Sequence, residues 1–245
     1  MALIQLRDIC LDFPVYGFRT DSLKLAVLNK ISTWTTGGPW FPSDGIKIVR
    51  ALRNISFELN DGDRLGVVGS NGSGKTTLLY MLNRSFVPSS GSLIVDGSVG
   101  SMLNLNCGID PNMTGRENIR FRLKISRITR KHWAAIEEDV VEFADLGHFI
   151  DMPLRIYSSG MMARLLFAMA TAIRRDILLM DEWLSVGDAD FSRKASARID
   201  GYAKESSILV LASHDTGMVS RVCNKCLRLD QGNQIMFGET EDVLR

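Results

Sequence analysis

Apolar positions along the chain recur with two periods, short alternating runs toward both ends and a longer helical rhythm between them. The opening "LIQLRDICLDF" alternates apolar and polar residues and predicts a strand. "ISFEL" predicts a second strand, and "RLGVVG" a third that is apolar throughout, as a strand covered on both faces should be. A helix is expected from residue 75 to about 85. "GSLIVDG" and "VGSML" read as short strands bounded by glycine. From 114 to 147 the pattern turns helical and highly charged, and "TGRE" at its start has the form of a capping box, with Glu117 three residues after Thr114. "ILLMD" and "SILVLAS" are strands on either side of a helix in "DADFSRKASARIDGYAK". "CLRLDQGNQIMFG" predicts a hairpin turning at Gly232 and Asn233.

Strands that alternate with helices imply an α/β fold with a mainly parallel sheet and crossovers. The helical stretch of about 114–172 interrupts that alternation and reads as a subdomain. No internal repeat or low-complexity segment is visible. Residues of about 17–50 fit neither pattern: a short amphipathic helix at 22–31 is followed by a loop rich in Gly, Pro and Trp. A structureless connection of that length in a compact domain usually has a function.

A hydrophobic share of 45% and a charged share of 23% are those of an ordinary globular protein, and a net charge of +1 gives no basic footprint for nucleic acid. Arg7, Asp8 and Asp12 interrupt the N-terminal apolar pattern, which excludes a secretory signal there. No apolar run approaches the roughly 20 residues that cross a bilayer. Cys223 and Cys226 in "CNKC" have metal-ligand spacing, but no second pair stands near them and His132 and His148 are distant in sequence. Reduced thiols are the expectation. Seven basic residues lie between Arg116 and Lys131 against one acid. They read as a solvated face balanced by "EEDVVEFAD", or as a surface that meets a membrane subunit or anionic head groups.

The strongest chemistry is "GSNGSGKT", comprising Gly69, Ser70, Asn71, Gly72, Ser73, Gly74, Lys75 and Thr76, with Thr77 next. It matches the full phosphate-loop pattern and stands between a predicted strand and a predicted helix. Glycines let successive N–H groups converge on one hollow, and the helix N-terminus adds partial positive charge there. Lys75 supplies a point charge for β- and γ-phosphates, and Thr76 a hydroxyl for Mg²⁺. "ILLMDE" ends a strand in Asp181, which can hold the metal through a water, and Glu182, which can act as general base. His214, in "LASHD", ends another strand, where the nucleotide crevice of such sheets lies.

"GSNGSGKT", "YSSGM", "ILLMDE", "SVGD" and "SHD" occur in an order and spacing that resemble the nucleotide-binding subunits of ABC transporters over nearly the whole chain. The resemblance implies one nucleotide-binding domain over 1–245, with a P-loop NTPase core, an antiparallel β subdomain and a helical signature subdomain. It implies ATP and Mg²⁺ as cofactors and a second copy of the chain as partner, paired head to tail. Ser158, Ser159 and Gly160 would then close over ATP held by the other copy, and Asp188 would lie where the copies touch. This explains why so small and inert a patch precedes a buried helix: it recognises a phosphate and does not react. The sequence departs from the family's usual signature in Ser159, in place of a glycine, and Met161, in place of glutamine. The family's magnesium-contacting glutamine is absent, and Asn104 or Asn106 stands near its place, Asn104 preferred. The adenine-stacking ring is Phe13, by strand register, or Tyr16.

"LDFPVY" with the insertion after it, "DPNMTGRENI", "YSSGMMARLLFAMA" and "DEWLSVGDADF" are similar to the ATPases of bacterial polysaccharide exporters. That similarity implies a peripheral subunit on the cytoplasmic face of the inner membrane, working with an integral membrane permease on a lipid-linked polysaccharide. The extra C-terminal carbohydrate-binding domain of some such ATPases is not expected, because the chain stops at Arg245. Trp34 and Trp40 then suggest that the 17–50 segment faces the membrane boundary. A soluble ABC ATPase of DNA repair or translation usually carries two nucleotide domains or a coiled-coil insertion, neither of which is present. A non-hydrolysing module is disfavoured by the joint presence of Lys75, Asp181, Glu182 and His214.

Overall fold

The computed structural model describes residues 1–15, 47–182 and 189–245. The readings for Tyr16, the 22–31 helix, Trp34, Trp40 and Asp188 lie outside the described residues. Among the described residues, nine strands form one sheet: β1 (Leu3–Val15), β2 (Lys47–Asn60), β3 (Arg64–Val68), β4 (Ser90–Asp96), β5 (Val99–Ser101), β6 (Ile177–Asp181), β7 (Ile208–Ala212), β8 (Lys225–Asp230) and β9 (Asn233–Glu239). Their spatial order is β4-β1-β2-β9-β8-β3-β7-β6-β5. The run from β8 to β5 is parallel throughout, whereas β4, β1 and β2 pair antiparallel. The expected parallel core and antiparallel β region are therefore two ends of one mixed sheet.

The parallel strands read as continuous apolar runs because both their faces are covered. On β7, Ile208, Val210 and Ala212 join the cluster around α1 (Lys75–Leu82), while Leu209 and Leu211 face the opposite cluster. That second cluster holds Phe167 of α4 (Ser159–Thr171), Phe191 and Tyr202 of α5 (Ala189–Glu205) and Val219 of α6 (Thr216–Val222). All of β7 is buried, and each such Leu or Ile stabilises the fold by about 1.5–3 kcal/mol relative to exposure. A third cluster belongs to α2 (Gly115–Ile125), α3 (Trp133–Ala144) and α4, with Ile119, Leu123, Val140 and Leu165 at its centre. Thr114 and Glu117 form the expected capping box at the start of α2. A short α7 (Thr240–Leu244) follows β9.

Three boundaries differ from the sequence reading. β2 begins at Lys47, paired with Val15, so residues 47–50 belong to the sheet and not to the insertion. Helix α1 stops at Leu82 because the chain turns at Arg84, whose φ of 58° is left-handed. Arg84 N donates to Met81 O and Ser85 N to Tyr80 O, the two bonds of a Schellman ending without its usual glycine. The last hairpin turns at Gln231 and Gly232, one residue earlier than expected, with Asp230 paired to Asn233. Both turn residues have positive φ, the shape a two-residue hairpin needs, and Asn233 enters the strand.

Candidate functional site

The 69–76 loop leaves β3 and enters α1 under close confinement by its own chain. A Cβ on Gly69 would stand 2.2 Å from Leu229 O, and one on Gly74 3.0 Å from Ala51 O. Gly232 N donates to Ser73 O (2.9 Å), and Arg53 N donates to Gly232 O (2.7 Å). The β8–β9 turn and β2 thus brace the loop from behind. This brace was not foreseen from the sequence, although Gly232, held by Ala51 at a position where a Cβ would come within 2.5 Å, carried the signal. Lys75 is buried and its Nζ donates to Gly69 O (2.8 Å) and Ser70 O (3.0 Å). Ser73 Oγ is buried with no hydrogen-bond partner among the described residues. Helix α1 has no side-chain cap, in contrast to α2, α4 and α6, which are capped by Thr114, Ser158 and Asp215. Its first N–H groups and the orphan hydroxyl are the donors an anionic ligand needs.

Two pairs of side chains meet at the adjacent strand ends. Thr76 Oγ1 donates to Asp181 Oδ2 at 2.6 Å, joining the first turn of α1 to the end of β6. Glu182 follows with φ 67°, a left-handed conformation uncommon for a residue with a side chain, and its N–H donates to Ala212 O at 2.8 Å. The bond continues the β6–β7 ladder while the turn aims the carboxylate out of the sheet. Strain of this kind costs about 1–3 kcal/mol and concentrates at functional sites. Glu182 Oε1 lies 2.8 Å from His214 Nδ1. The hydrogen bond and the charge of Glu182 raise the pKa of His214 above its ordinary value. His214 itself stands between β7 and α6, where Asp215 N donates to Ser213 Oγ and Met218 N to Asp215 Oδ1.

At the start of α4, Ser158 Oγ accepts from Met161 N at 3.2 Å and its hydroxyl proton remains free to donate outward. Ser158 and Ser159 are exposed. Among the described residues a Cβ on Gly160 would meet only Ser158 Oγ, at 4.0 Å, so their packing does not itself require glycine there. Asn104 is exposed just beyond β5, whose end lies beside β6. Phe13 is half-buried on β1, edge-on to Phe86 at 5.1 Å, and pairs with Val49, two residues before the Ala51 carbonyl that confines Gly74. The expected cysteine chemistry also follows from burial, which pushes the Cys223 thiol to about 12 and Cys226 to about 11 and leaves both neutral. Of the basic stretch, Arg116 and Arg120 share Glu137, Arg116 also holds Asp151, and Arg130 lies over Trp133.

Residues 52–185 match the ABC transporter family, which is more than half of the chain. The chain belongs to that family. It is an ABC-type ATPase subunit, and ATP is the nucleotide that it binds. The O-antigen export system ATP-binding protein RfbE of Yersinia enterocolitica is 39% identical over the full length of both chains. The corresponding RfbB protein of Myxococcus xanthus is 39% identical over 99% of this chain and 55% of its own. The teichoic acids export ATP-binding protein TagH of Staphylococcus epidermidis is 34% identical over 98% of this chain and 86% of its own. Among solved structures, a dimeric ATP-binding cassette in a post-hydrolysis state with ADP and Pi superposes with a TM-score of 0.69, covering 97% of this chain and 98% of that one. At 18% identity that likeness shows the ABC fold alone. The family match spans the 69–76 loop, Asn104, the 158–160 turn, Asp181 and Glu182; Phe13 and His214 lie outside it.

Proposed function

We propose that the chain powers export of a lipid-linked bacterial polysaccharide, of O-antigen or capsule type, through a separate membrane permease. The observation that carries this reading is the end-to-end likeness to an O-antigen export ATP-binding protein. No helix among the described residues is long and apolar enough to cross a membrane, so the path itself would belong to the partner. The subunit would sit peripherally on the cytoplasmic face of the inner membrane, and the insertion between β1 and β2 would face the boundary with the permease.

In the chemical step, the N–H groups at 72–77, Lys75 and Ser73 Oγ would hold the phosphates, and the ring of Phe13 or Tyr16 the adenine. The hydroxyl of Thr76 and the carboxylate of Asp181, 2.6 Å apart, are hard oxygen donors and fit Mg²⁺, with Asn104 a further oxygen donor from the loop after β5. When bound, that ion would neutralise charge on the β- and γ-phosphates. Glu182 takes a proton from the attacking water as the new O–P bond forms and the bond from γ-phosphorus to the bridging oxygen breaks. His214, now paired with Glu182, releases it and turns to the γ-phosphate. Ser158, Ser159 and Gly160 would serve a second copy's ATP, with Asp188, outside the described residues, expected near the contact between copies.

The test is copurification with a candidate permease subunit, followed by ATPase assays with candidate glycolipids and export assays in cells. Stimulation by a lipid-linked glycan supports the reading, and stimulation only by an unrelated substrate class overturns it. A second variant replaces residues 32–45 with a short Gly/Ser linker. Basal ATPase should persist while export falls; full export would reduce the segment to packing.

A further inference from the structure

The exposed Ser158 follows a residue that points the other way. The backbone is extended at both Tyr157 (φ −71°, ψ 142°) and Ser158 (φ −67°, ψ 162°), and consecutive side chains of an extended chain leave on different sides. Tyr157 is half-buried and packs on the third cluster, which holds Ile150 and Leu154. Its hydroxyl donates to Phe149 O at 2.7 Å, a carbonyl that also accepts from Met152 N at 2.9 Å. The same hydroxyl sits in a notch at the start of α2, where a Cβ on Gly115 would stand 2.6 Å from it. Burial, and then the charge of Asp151, raise the phenol above its ordinary value of 10, so it stays protonated and a donor. The parts that seat the ring are themselves fastened. Arg116 holds Asp151 through Nε at 2.7 Å and Nη2 at 3.4 Å, and Leu154 N donates to Met113 O at 3.0 Å.

The geometry points to Tyr157 as a positioning residue for the 158–160 turn. The turn is held from two sides. On the helix side, Met161 and Met162 pack on the third cluster and Ser158 Oγ caps Met161 N, which places the first turn of α4. On the entry side, Tyr157 places the chain that arrives at Ser158. Apolar packing alone would leave the depth of its ring adjustable. The bond to Phe149 O fixes that depth, because a hydrogen bond has a preferred length and direction. With the ring fixed, the backbone of residue 157 is fixed against the start of α2, and the next residue faces solvent. Hydrogen bonds weaken steeply as their angle is lost, so the donors at 158–160 must be aimed as well as exposed. Tyr157 touches no phosphate itself and acts through Ser158. The same seat accounts for glycine at 115, where a side chain would displace the hydroxyl.

The inference rests on the reading of 158–160 as a turn that acts in trans, and the experiment separates the two. Tyr157→Phe and Tyr157→Leu are made in the full chain, with Glu182 intact and in the Glu182→Gln background. Phenylalanine removes one oxygen and keeps the ring, so it remains informative if the leucine variant is unstable. The Glu182→Gln forms are compared by sedimentation with ATP and magnesium, by binding of a fluorescent ATP analogue and by thermal unfolding. The forms with Glu182 are compared by kcat and KM, which need no stable dimer. A positioning role predicts that Tyr157→Phe weakens ATP-driven dimerisation and lowers kcat by roughly three- to tenfold, the worth of one hydrogen bond. Tyr157→Leu should do more. ATP affinity should stay within about twofold, because the 69–76 loop is a separate site. A tyrosine that serves only the fold would lower the unfolding temperature and leave dimerisation and kcat as they were. That result, or an equal loss in ATP affinity, overturns the role of Tyr157. Ser158→Arg in parallel tests the underlying reading: if that variant still dimerises with ATP and turns over normally, the trans reading itself has failed.

Discussion

Gly69 and Gly160 both stand at the mouth of a helix, and their surroundings are opposite. A Cβ on Gly69 would meet Leu229 O at 2.2 Å and Ser73 Oγ at 2.6 Å, whereas one on Gly160 would meet nothing closer than 4.0 Å. Around Gly69 the chain supplies a buried lysine, a brace from the β8–β9 turn and β2, and a helix start without a side-chain cap. Around Gly160 the helix is already capped by Ser158 and the serines face outward. The first site is built by this chain for its own ligand. In the second, no packing among the described residues accounts for the small residues, which is what a surface made for another molecule's phosphate should look like. Predictions that divide the two regions follow from that difference.

The largest effect is expected inside the first region. Glu182→Gln should retain ATP binding and lower turnover by roughly 10²–10⁴, the usual contribution of a general base. Normal hydrolysis by this variant would remove the proton-accepting role from Glu182.

Gly160→Asp attacks the second region alone. An acidic residue in the first turn favours the helix by about 0.3–1 kcal/mol, so thermal stability should hold or rise. The same charge facing another copy's phosphates should cost several kcal/mol of association and suppress turnover. Loss of ATP affinity in the folded variant, measured by titration with a fluorescent analogue, would count against this division of labour.

A smaller effect, of opposite kind, belongs to Gly69→Ala. Its methyl has no room, so about 1–3 kcal/mol of folding stability should be lost along with nucleotide affinity, as read by denaturant unfolding. An alanine at 160 should stay within about 0.5 kcal/mol of wild type. Equal losses at the two positions would erase the contrast.

The smallest effect is a titration. His214 is held above its ordinary value of 6.5 by the hydrogen bond and charge of Glu182. The stabilising pair is therefore complete below that ordinary value and is lost as pH rises through the raised one. An NMR titration of the imidazole should show its pKa falling in Glu182→Gln, and an unchanged value would mean that the contact is not maintained in solution.

The sequence already displayed the phosphate loop, the acidic strand end and His214, because each is a local pattern with local physics. It also exposed the capping box of α2, where Thr114 and Glu117 are three residues apart. What it hid depends on distant parts of the chain. The brace behind the 69–76 loop needs Gly232 and Arg53, which are not its sequence neighbours, and a fork from Arg198 joins Asp139 and Thr171 across three helices. The turn at Gln231 was misplaced by one residue because Gly-Asn resembles the familiar hairpin pair, while pairing of Asp230 with Asn233 decided the register. Start of β2 at Lys47 was missed because "IKIVR" alternates weakly and its partner strand lies beyond a long insertion.

Central to the account is that ATP is bound by one region and recognised by the other in a second copy. The most direct measurement is sedimentation of the full chain with ATP and magnesium in two forms, Glu182→Gln alone and Glu182→Gln with Gly160→Asp. ATP should convert the first to a dimer and leave the second monomeric, with ATP affinity within about twofold between them. Equal dimerisation of both forms, or selective loss of ATP binding in the second, would contradict it.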